Sequence, residues 1–381
     1  MKMQDVVLPI LSAFLLSALL GKLLIPLLKK VKVRQTVRED GPSTHLCKAG
    51  TPTMGGIIIL LSILLSTLPF LHRFPEGIPV LCVTFGFGWI GFLDDFIKVV
   101  LRRSKGLSAF QKFLLQFLLT AGFWYYLYEV RGMDFLMRIP FSNGKSLSLG
   151  ALSIPVFFFV VIGTVNGVNL TDGLDGLAAS VTLMVAMLWL IISVFWHEGL
   201  FPVTGAAAGA LLGFLLFNVH PASVFMGDTG SLLLGYVLST VSVLGLFKFY
   251  AIVTFVVPVL ALAVPLSDTL FAFCRRILHG QSPFHADRGH FHHKLMDLGL
   301  NQKQAVAILY AISATLGLAA VVLTTKGTIR IALLILALLI GFVVCAFIRK
   351  SVHKHHIDVE LQEAQAAADA RTAAEAAEVE K

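Results

Sequence analysis

Residues 151–196 read ALSIPVFFFVVIGTVNGVNLTDGLDGLAASVTLMVAMLWLIISVFW, two apolar runs joined by the polar turn Asn169-Leu-Thr-Asp-Gly-Leu-Asp-Gly176. A helix needs roughly 20 apolar residues to cross the ~30 Å hydrocarbon core of a bilayer, because only a helix or a closed barrel satisfies its own backbone N–H and C=O groups there. Both runs approach that length. The turn between them carries Asp172 and Asp175 to the lipid boundary, where ionisable groups are costly and mark function.

Composition extends this reading to the whole chain. Of 381 residues 57% are hydrophobic and only 14% charged, and the mean hydropathy is +0.84. That balance excludes a soluble globule. Apolar windows predict spans near 5–27, 53–72, 77–94, 108–129, 151–167, 177–196, 201–218, 230–247, 251–274, 304–324 and 328–348. The fold class is all-α, a polytopic integral membrane protein of about 10–11 transmembrane helices. Residues 1–350 form one membrane domain, with polar connections near 28–52, 94–107, 166–176, 218–230 and 275–303, and residues 351–381 form a polar tail. Asn143-Gly144 lies between partly apolar runs and predicts a small hairpin within 130–150.

Basic residues alternate between the connections. Lys29, Lys30, Lys32, Arg34, Arg38 and Lys48 follow the first span; Lys98, Arg102, Arg103, Lys105 and Lys112 follow the third; Arg275, Arg276, Arg288, Lys294 and Lys303 follow the ninth. The intervening connections are poorer, so the rich set is expected in the cytoplasm and the N-terminus outside. The net charge of +8 thus reports topology and attraction to anionic lipid; no nucleic-acid partner is implied. The first span is expected to be retained, because it is too long for a signal peptide and lacks a small-residue cleavage site. Cys47, Cys82, Cys274 and Cys345 are scattered without CxxC spacing and suggest neither a disulfide frame nor a zinc site.

Five polar constellations follow odd-numbered spans and so share one face. In Asp94-Asp95-Phe-Ile-Lys98, adjacent carboxylates at a helix end repel each other and call for a cation, beside the plainer reading of an interfacial helix stop. Around the opening turn Asn166, Asn169, Thr171, Asp172 and Asp175 converge, more than a simple cap needs, while Gly173 and Gly176 allow close approach of a ligand. In Asn218-Val-His220-Pro-Ala-Ser-Val-Phe225-Met-Gly227-Asp228-Thr229-Gly230-Ser231 a helix begins at Asp228. Its free N–H groups would favour a phosphate, and Asp228 can hold the metal of that phosphate. Phe225 is either an interfacial aromatic or a stacking platform for a base. His285-Ala-Asp287-Arg288-Gly-His290-Phe-His292-His293-Lys294 lacks HExxH or a cysteine partner, so an anion clamp fits better than zinc, with a solvated basic loop as the plain alternative. Lys48, in His45-Leu-Cys-Lys48-Ala-Gly-Thr51-Pro52, is either one more inside charge or a contact to an acidic ligand. A transporter would place its ionisable groups near the midplane. Here they gather at helix ends, as an enzyme with a cytosolic substrate requires.

At these motifs the chain resembles the bacterial polyprenyl-phosphate N-acetylhexosamine-1-phosphate transferases, over about residues 30–325. Val37-Arg-Glu-Asp-Gly-Pro42, Gly50-Thr-Pro-Thr-Met-Gly-Gly56, Asp94-Asp95-Phe-Ile-Lys98 and Asn169–Gly176 resemble the muramoyl-pentapeptide branch, and Phe225–Ser231 is similar across the superfamily. Pro283–His293 and the span at 328–348 look more like the teichoic-acid and common-antigen relatives, which transfer N-acetylglucosamine-1-phosphate. The resemblance implies transfer of phospho-N-acetylmuramoyl-pentapeptide from UDP-MurNAc-pentapeptide to undecaprenyl phosphate, giving lipid I and UMP. It also implies Mg2+ as cofactor, the bacterial cell membrane as location, the lipid bilayer as surroundings and a homodimer. By the same resemblance Asp228 is the leading magnesium ligand with Asn169 completing the shell; Asp94, as a base that deprotonates the lipid phosphate, and Asp95 beside it are catalytic with Asp228. Phe225 stacks on uracil near Asp175 and Lys48; Asn166, Asp172, Gly173 and Asn218 hold ribose or pyrophosphate; Arg288, His290, His292 and His293 contact phosphates or sugar.

Overall fold

A computed structural model describes residues 3–30, 51–101, 106–133, 136–138, 146–148, 150–172, 175–195, 199–246, 302–324 and 334–343, with isolated positions at 267, 271, 274, 275, 278, 294–296, 300, 331, 346 and 349. The basic first connection with Lys48, Gly173, the histidine stretch with Arg288, His290, His292 and His293, most of the ninth expected span and the tail lie outside the described residues.

The chain is helical. In order come α1 (Met3–Lys30), α2 (Gly56–Thr67), α3 (Gly77–Val99), α4 (Ala109–Tyr125), α5 (Ser153–Thr171), α6 (Leu177–Phe195), α7 (Phe201–Asn218), α8 (Gly227–Leu246) and α9 (Gln302–Thr324). The first eight expected spans and the tenth each fall on one of these helices. Among the described residues, α1, α3, the segment at 150–171 and α7 are long and apolar enough to cross a membrane, and shorter apolar helices accompany them. The expected hairpin is present as an antiparallel pair, β1 (Leu136–Arg138) and β2 (Ser146–Ser148), with Met137 opposite Leu147.

Helix ends at the polar side run past the apolar windows. α3 continues to Val99, five residues beyond the expected end at 94, and α5 continues to Thr171. Each extension is supported locally. Lys98 pairs with Asp94 one turn earlier, and Asn166 donates its amide to Ile162 O at 2.8 Å. Polar side chains that find partners within the helix or across it leave the backbone no reason to break.

Packing at the centre depends on small residues. Gly205, Gly209 and Gly213 recur every fourth residue on α7 and form a stripe against α1. A Cβ on Gly209 would enter the backbone of Ile10, and one on Gly213 would lie 2.6 Å from Phe14 O. Close backbone approach of this kind supplies van der Waals contact where lipid removes the usual hydrophobic drive. The order of contacts, Val6 and Ile10 beside Gly205 and Phe14 beside Gly213, makes the two helices parallel. α1 turns Leu8, Leu11, Leu15, Leu19, Leu23 and Leu27 outward, as a lipid-facing helix should.

α8 is the hub of the other half, packed against α2, α3 and α5. Leu232, Leu233, Leu234, Tyr236 and Val237 are buried. Phe87 stacks on Tyr236 with ring centroids 4.7 Å apart. From α1 to α8 the helices alternate in direction, so their connections sort to two ends of the bundle. At one end Asp5 of α1 meets Arg73, which precedes α3, at 2.6 Å, and Glu76 lies 4.0 Å from Arg131. At the other end lie the termini of α3, α4, α5, α7 and α8.

Candidate active site

The start of α8 is fixed by backbone on three sides. The strand-like segment before α2 runs beside the one before α8: Phe225 N donates to Pro52 O at 2.8 Å, Gly55 N to Phe225 O at 2.9 Å and Gly56 N to Met226 O at 2.8 Å. Gly56 of α2 and Gly91 of α3 then touch α8 directly, and a Cβ at either would enter the backbone of Asp228, Thr229 or Gly230. Gly227 adopts φ 72°, a left-handed conformation that glycine takes without strain. From α3, Asp95 caps this helix: its Oδ1 accepts from Asp228 N at 3.2 Å, and its Oδ2 accepts from Thr229 N at 2.9 Å and Thr229 Oγ1 at 2.6 Å. The N–H groups of Asp228 and Thr229, expected to face a phosphate, are therefore occupied by a carboxylate.

Asp228 itself points into a cluster of charges. Lys112 of α4 places Nζ 2.5 Å from Asp228 Oδ2, and Lys98 places its Nζ 3.2 Å from the same oxygen. Both ammonium groups also reach Asp94 Oδ2, Lys98 in direct contact and Lys112 at 3.3 Å. Asp94 Oδ1 accepts from Leu107 N at 2.8 Å. There the connection turns through Gly106 at φ 56°, and a Cβ would come within 2.7 Å of the same carboxylate. Asn169 of α5 donates to Asp228 Oδ1 at 3.0 Å and to Ser231 Oγ at 2.7 Å.

Carboxylate oxygens from Asp94, Asp95 and Asp228 all lie within 4.8 Å of one another. Asp94 and Asp95 are buried. Among the described residues, three carboxylates against two ammonium groups leave a formal deficit of positive charge. An all-oxygen donor set beside a negative excess suits a hard divalent cation such as magnesium, which takes one or two carboxylates and completes its shell with water and substrate phosphate. Asp228 and Asp94 offer the oxygens for it. Asn169 presents nitrogen to Asp228, and a half-turn of its amide would present oxygen instead. The two lysines add flexible point charges that suit phosphate oxygens.

A second group of expected residues lies at the same end. Asp175 Oδ2 is 2.9 Å from His220 Nδ1 and accepts from Ala222 N at 3.3 Å. It thus ties the start of α6 to the segment between α7 and α8. Asp172 closes α5, its N–H donating to Asn169 O at 3.3 Å. Asn218 is buried and donates to Val224 O at 2.9 Å, clasping the connection that carries Phe225. Asn166 donates to Gln116 Oε1 of α4 at 2.8 Å. The structure thus joins Asp94, Asp95, Asn169 and Asp228 in one contact network. It places Asp175 and Asn218 in a neighbouring clasp, and Asn166 on the α4–α5 contact.

Three polar residues of this end were not singled out by the motifs. Lys112 counts in the sequence as one more inside charge; its position four residues after the capping Ser108, at the head of an apolar helix, was the available signal. Gln116, one turn further along the same face, is fully buried, and among the described residues its Nε2 has no hydrogen-bond partner. A lone amide in an apolar run is a signal, since burying it costs free energy unless it is bonded. His220 stood inside a motif without a role and now partners Asp175.

Comparison with known proteins follows the same residues. Residues 78–246 match the family model described as Glycosyl transferase family 4, which spans α3 to α8 and hence the whole charge cluster. Residues 48–60 match a phospho-N-acetylmuramoyl-pentapeptide-transferase signature, the segment zippered to Phe225. A curated phospho-N-acetylmuramoyl-pentapeptide-transferase of Clostridioides difficile is 46% identical over 239 residues, 61% of this chain and 73% of the relative. The same-named protein of Clostridium botulinum is 42% identical over 281 residues, 72% and 85% of the two chains. That of Bacillus subtilis is 42% identical over 248 residues, 63% and 75%. At this identity and coverage, with the signature lying on the segment that braces the charge cluster, the chain belongs to the phospho-N-acetylmuramoyl-pentapeptide transferase family.

Proposed function

We propose that the chain transfers phospho-N-acetylmuramoyl-pentapeptide from UDP-MurNAc-pentapeptide to undecaprenyl phosphate, releasing UMP and forming lipid I, at a magnesium-dependent site at the cluster end of the bundle. The observation that carries this reading is the convergence of Asp94, Asp95 and Asp228 with Lys98 and Lys112 at the ends of three helices. Family membership supplies the substrates, and the Lys/Arg distribution supports a cytoplasmic position for this end, in a bacterial cell membrane.

The reaction brings two anions together, the donor pyrophosphate and the acceptor phosphate. Positioning and charge stabilisation supply most of the catalysis in phosphoryl transfer. Magnesium, held by Asp228 and Asp94, would neutralise charge on the pyrophosphate and the leaving UMP. Lys98 and Lys112, now paired with those carboxylates, are placed to turn their ammonium groups toward phosphate oxygens. Asn169 orients Asp228. The Asp175–His220 clasp and the segment bearing Phe225 hold the nucleotide side, with Asn166, Asp172 and Asn218 behind them. Lys48, Gly173, Arg288, His290, His292 and His293 keep the donor-contact roles that the family resemblance implies.

Asp94 is not needed as a base for most of the rate. A phosphate monoester has a second pKa of about 6, so the acceptor is largely dianionic at neutral pH. Asp94 Oδ1 already accepts from Leu107 N, and Oδ2 lies against the ammonium groups of Lys98 and Lys112. Purified protein supplied with undecaprenyl phosphate and either UDP-MurNAc-pentapeptide or UDP-N-acetylglucosamine tests the reading. UMP is expected from the first donor only and only with magnesium. Release from the second donor instead would assign the chain to N-acetylglucosamine-1-phosphate transfer.

A further inference from the structure

We infer that Asp95 is a positioning residue that acts on Asp228 through the backbone of α8, and is neither the base nor a ligand of the cation. Adjacent residues on a helix point about 100° apart, so Asp94 and Asp95 meet different neighbours. Asp94 faces the two lysines and Leu107 N. Asp95 faces the end of α8, and its oxygens are taken by Asp228 N, Thr229 N and Thr229 Oγ1. It is buried, 3% exposed, and Thr229 is fully buried. Gly91, one turn before Asp95, lets α3 lie against the carbonyl of Asp228, and Gly227 leaves room for the Asp95 carboxylate, which a Cβ there would approach to 2.5 Å.

The arrangement is an N-cap supplied by a different helix. A cap anchors the first turn by accepting its free N–H groups, and a carboxylate there also complements the positive end of the helix dipole. Here the residue in that first turn is Asp228, whose side chain enters the charge cluster. Loss of the cap would free the first turn and let the Asp228 carboxylate wander from Lys98, Lys112 and Asn169. Asp95 thereby sets the cation site without entering it. The inference rests on the proposed reaction for its relevance to catalysis, though not for its geometry.

The test uses the full chain in detergent, with Mn2+ as a spectroscopic substitute for Mg2+. Three readouts are taken: Mn2+ affinity by paramagnetic resonance titration, amide exchange of peptides covering 226–232, and kcat and KM for UMP release. Thr229→Val removes one of the cap's three bonds and leaves every carboxylate in place. It should weaken Mn2+ binding and lower kcat by about 3- to 10-fold, as loss of one cap hydrogen bond does, and speed exchange in the first turn of α8 while KM for the donor stays unchanged. Thr229→Ser should restore all three. Asp95→Ala should do more, and adding Thr229→Val to it should change little further, because both act on one element.

The inference is overturned if Thr229→Val leaves Mn2+ affinity, kcat and exchange at wild-type values while Asp95→Asn abolishes activity, or if the two substitutions add fully. Should wild type release no UMP from either donor, the proposed reaction fails. The Mn2+ and exchange measurements would still decide the role of Asp95.

Discussion

The two ends of the helix bundle hold their charges in different ways. At one end, Asp5 with Arg73 and Glu76 with Arg131 form separate pairs, each with one or both partners substantially exposed. At the other, Asp94, Asp95, Asp228, Lys98 and Lys112 share partners, and the carboxylates of α3 are buried. The Glu76–Arg131 pair, exposed on both sides, contributes little to stability because water and salt screen it. Buried, mutually dependent charges cost solvation free energy, and a fold retains them where charge must be handled. Backbone support differs as well. Glycines on α2 and α3 press the cluster end of α8 into place, while Arg73 and Arg131 sit on connections.

Substitutions separate the ends in proportion to this difference. Asp228→Asn should have the largest effect, lowering the rate of UMP release on the order of 10^3-fold, as loss of a group that stabilises transition-state charge does. If activity stayed within a factor of ten, the cluster would not be the reaction centre. Lys112→Gln should follow, at about 10^2-fold by the same reasoning, and mainly in kcat. A KM effect alone would make Lys112 a docking charge.

Asp94→Asn sharpens the contrast between holding charge and moving protons. Below the acceptor's second pKa of about 6 all variants slow, because the nucleophile itself is protonated. Above it, the deficit of Asp94→Asn is expected to persist with pH. Recovery to the wild-type rate at higher pH would restore the base role.

Gly91→Ala tests the backbone support. The added methyl enters the α3–α8 contact, and overpacking of this kind costs typically about 1–3 kcal/mol. A lower thermal midpoint with reduced activity is expected. The smallest effect should come from the far end: Arg131→Gln, whose ion pair with Glu76 is exposed on both sides, is predicted to leave UMP release unchanged and to lower stability by no more than about 1 kcal/mol.

Much of this contrast is legible in the sequence. Hydropathy placed the spans, and the alternation of polar connections placed Asp94, Asn169, Asp175, Asn218 and Asp228 at one end. What stayed hidden depended on where side chains point. An apolar window stops α3 at its first charges, whereas Lys98 meets Asp94 one turn on and the helix runs to Val99. Asp94-Asp95 read as one pair, and only helix rotation gives each a different neighbour. The start of α8 read as an open phosphate site, because nothing in the local pattern reveals that a distant carboxylate fills it. Lys112 was indistinguishable from the basic residues that set topology until α4 was laid against α8.

In the proposed reaction the cation and the donor pyrophosphate meet at the Asp94–Asp228 cluster. Electron–nuclear double resonance on the Mn2+-loaded protein with bound UDP-MurNAc-pentapeptide measures this directly. A phosphorus coupling from the donor pyrophosphate is predicted in wild type and in Arg131→Gln, and is predicted to vanish in Asp228→Ala. A coupling that survives Asp228→Ala at full strength would place the metal and the chemistry elsewhere.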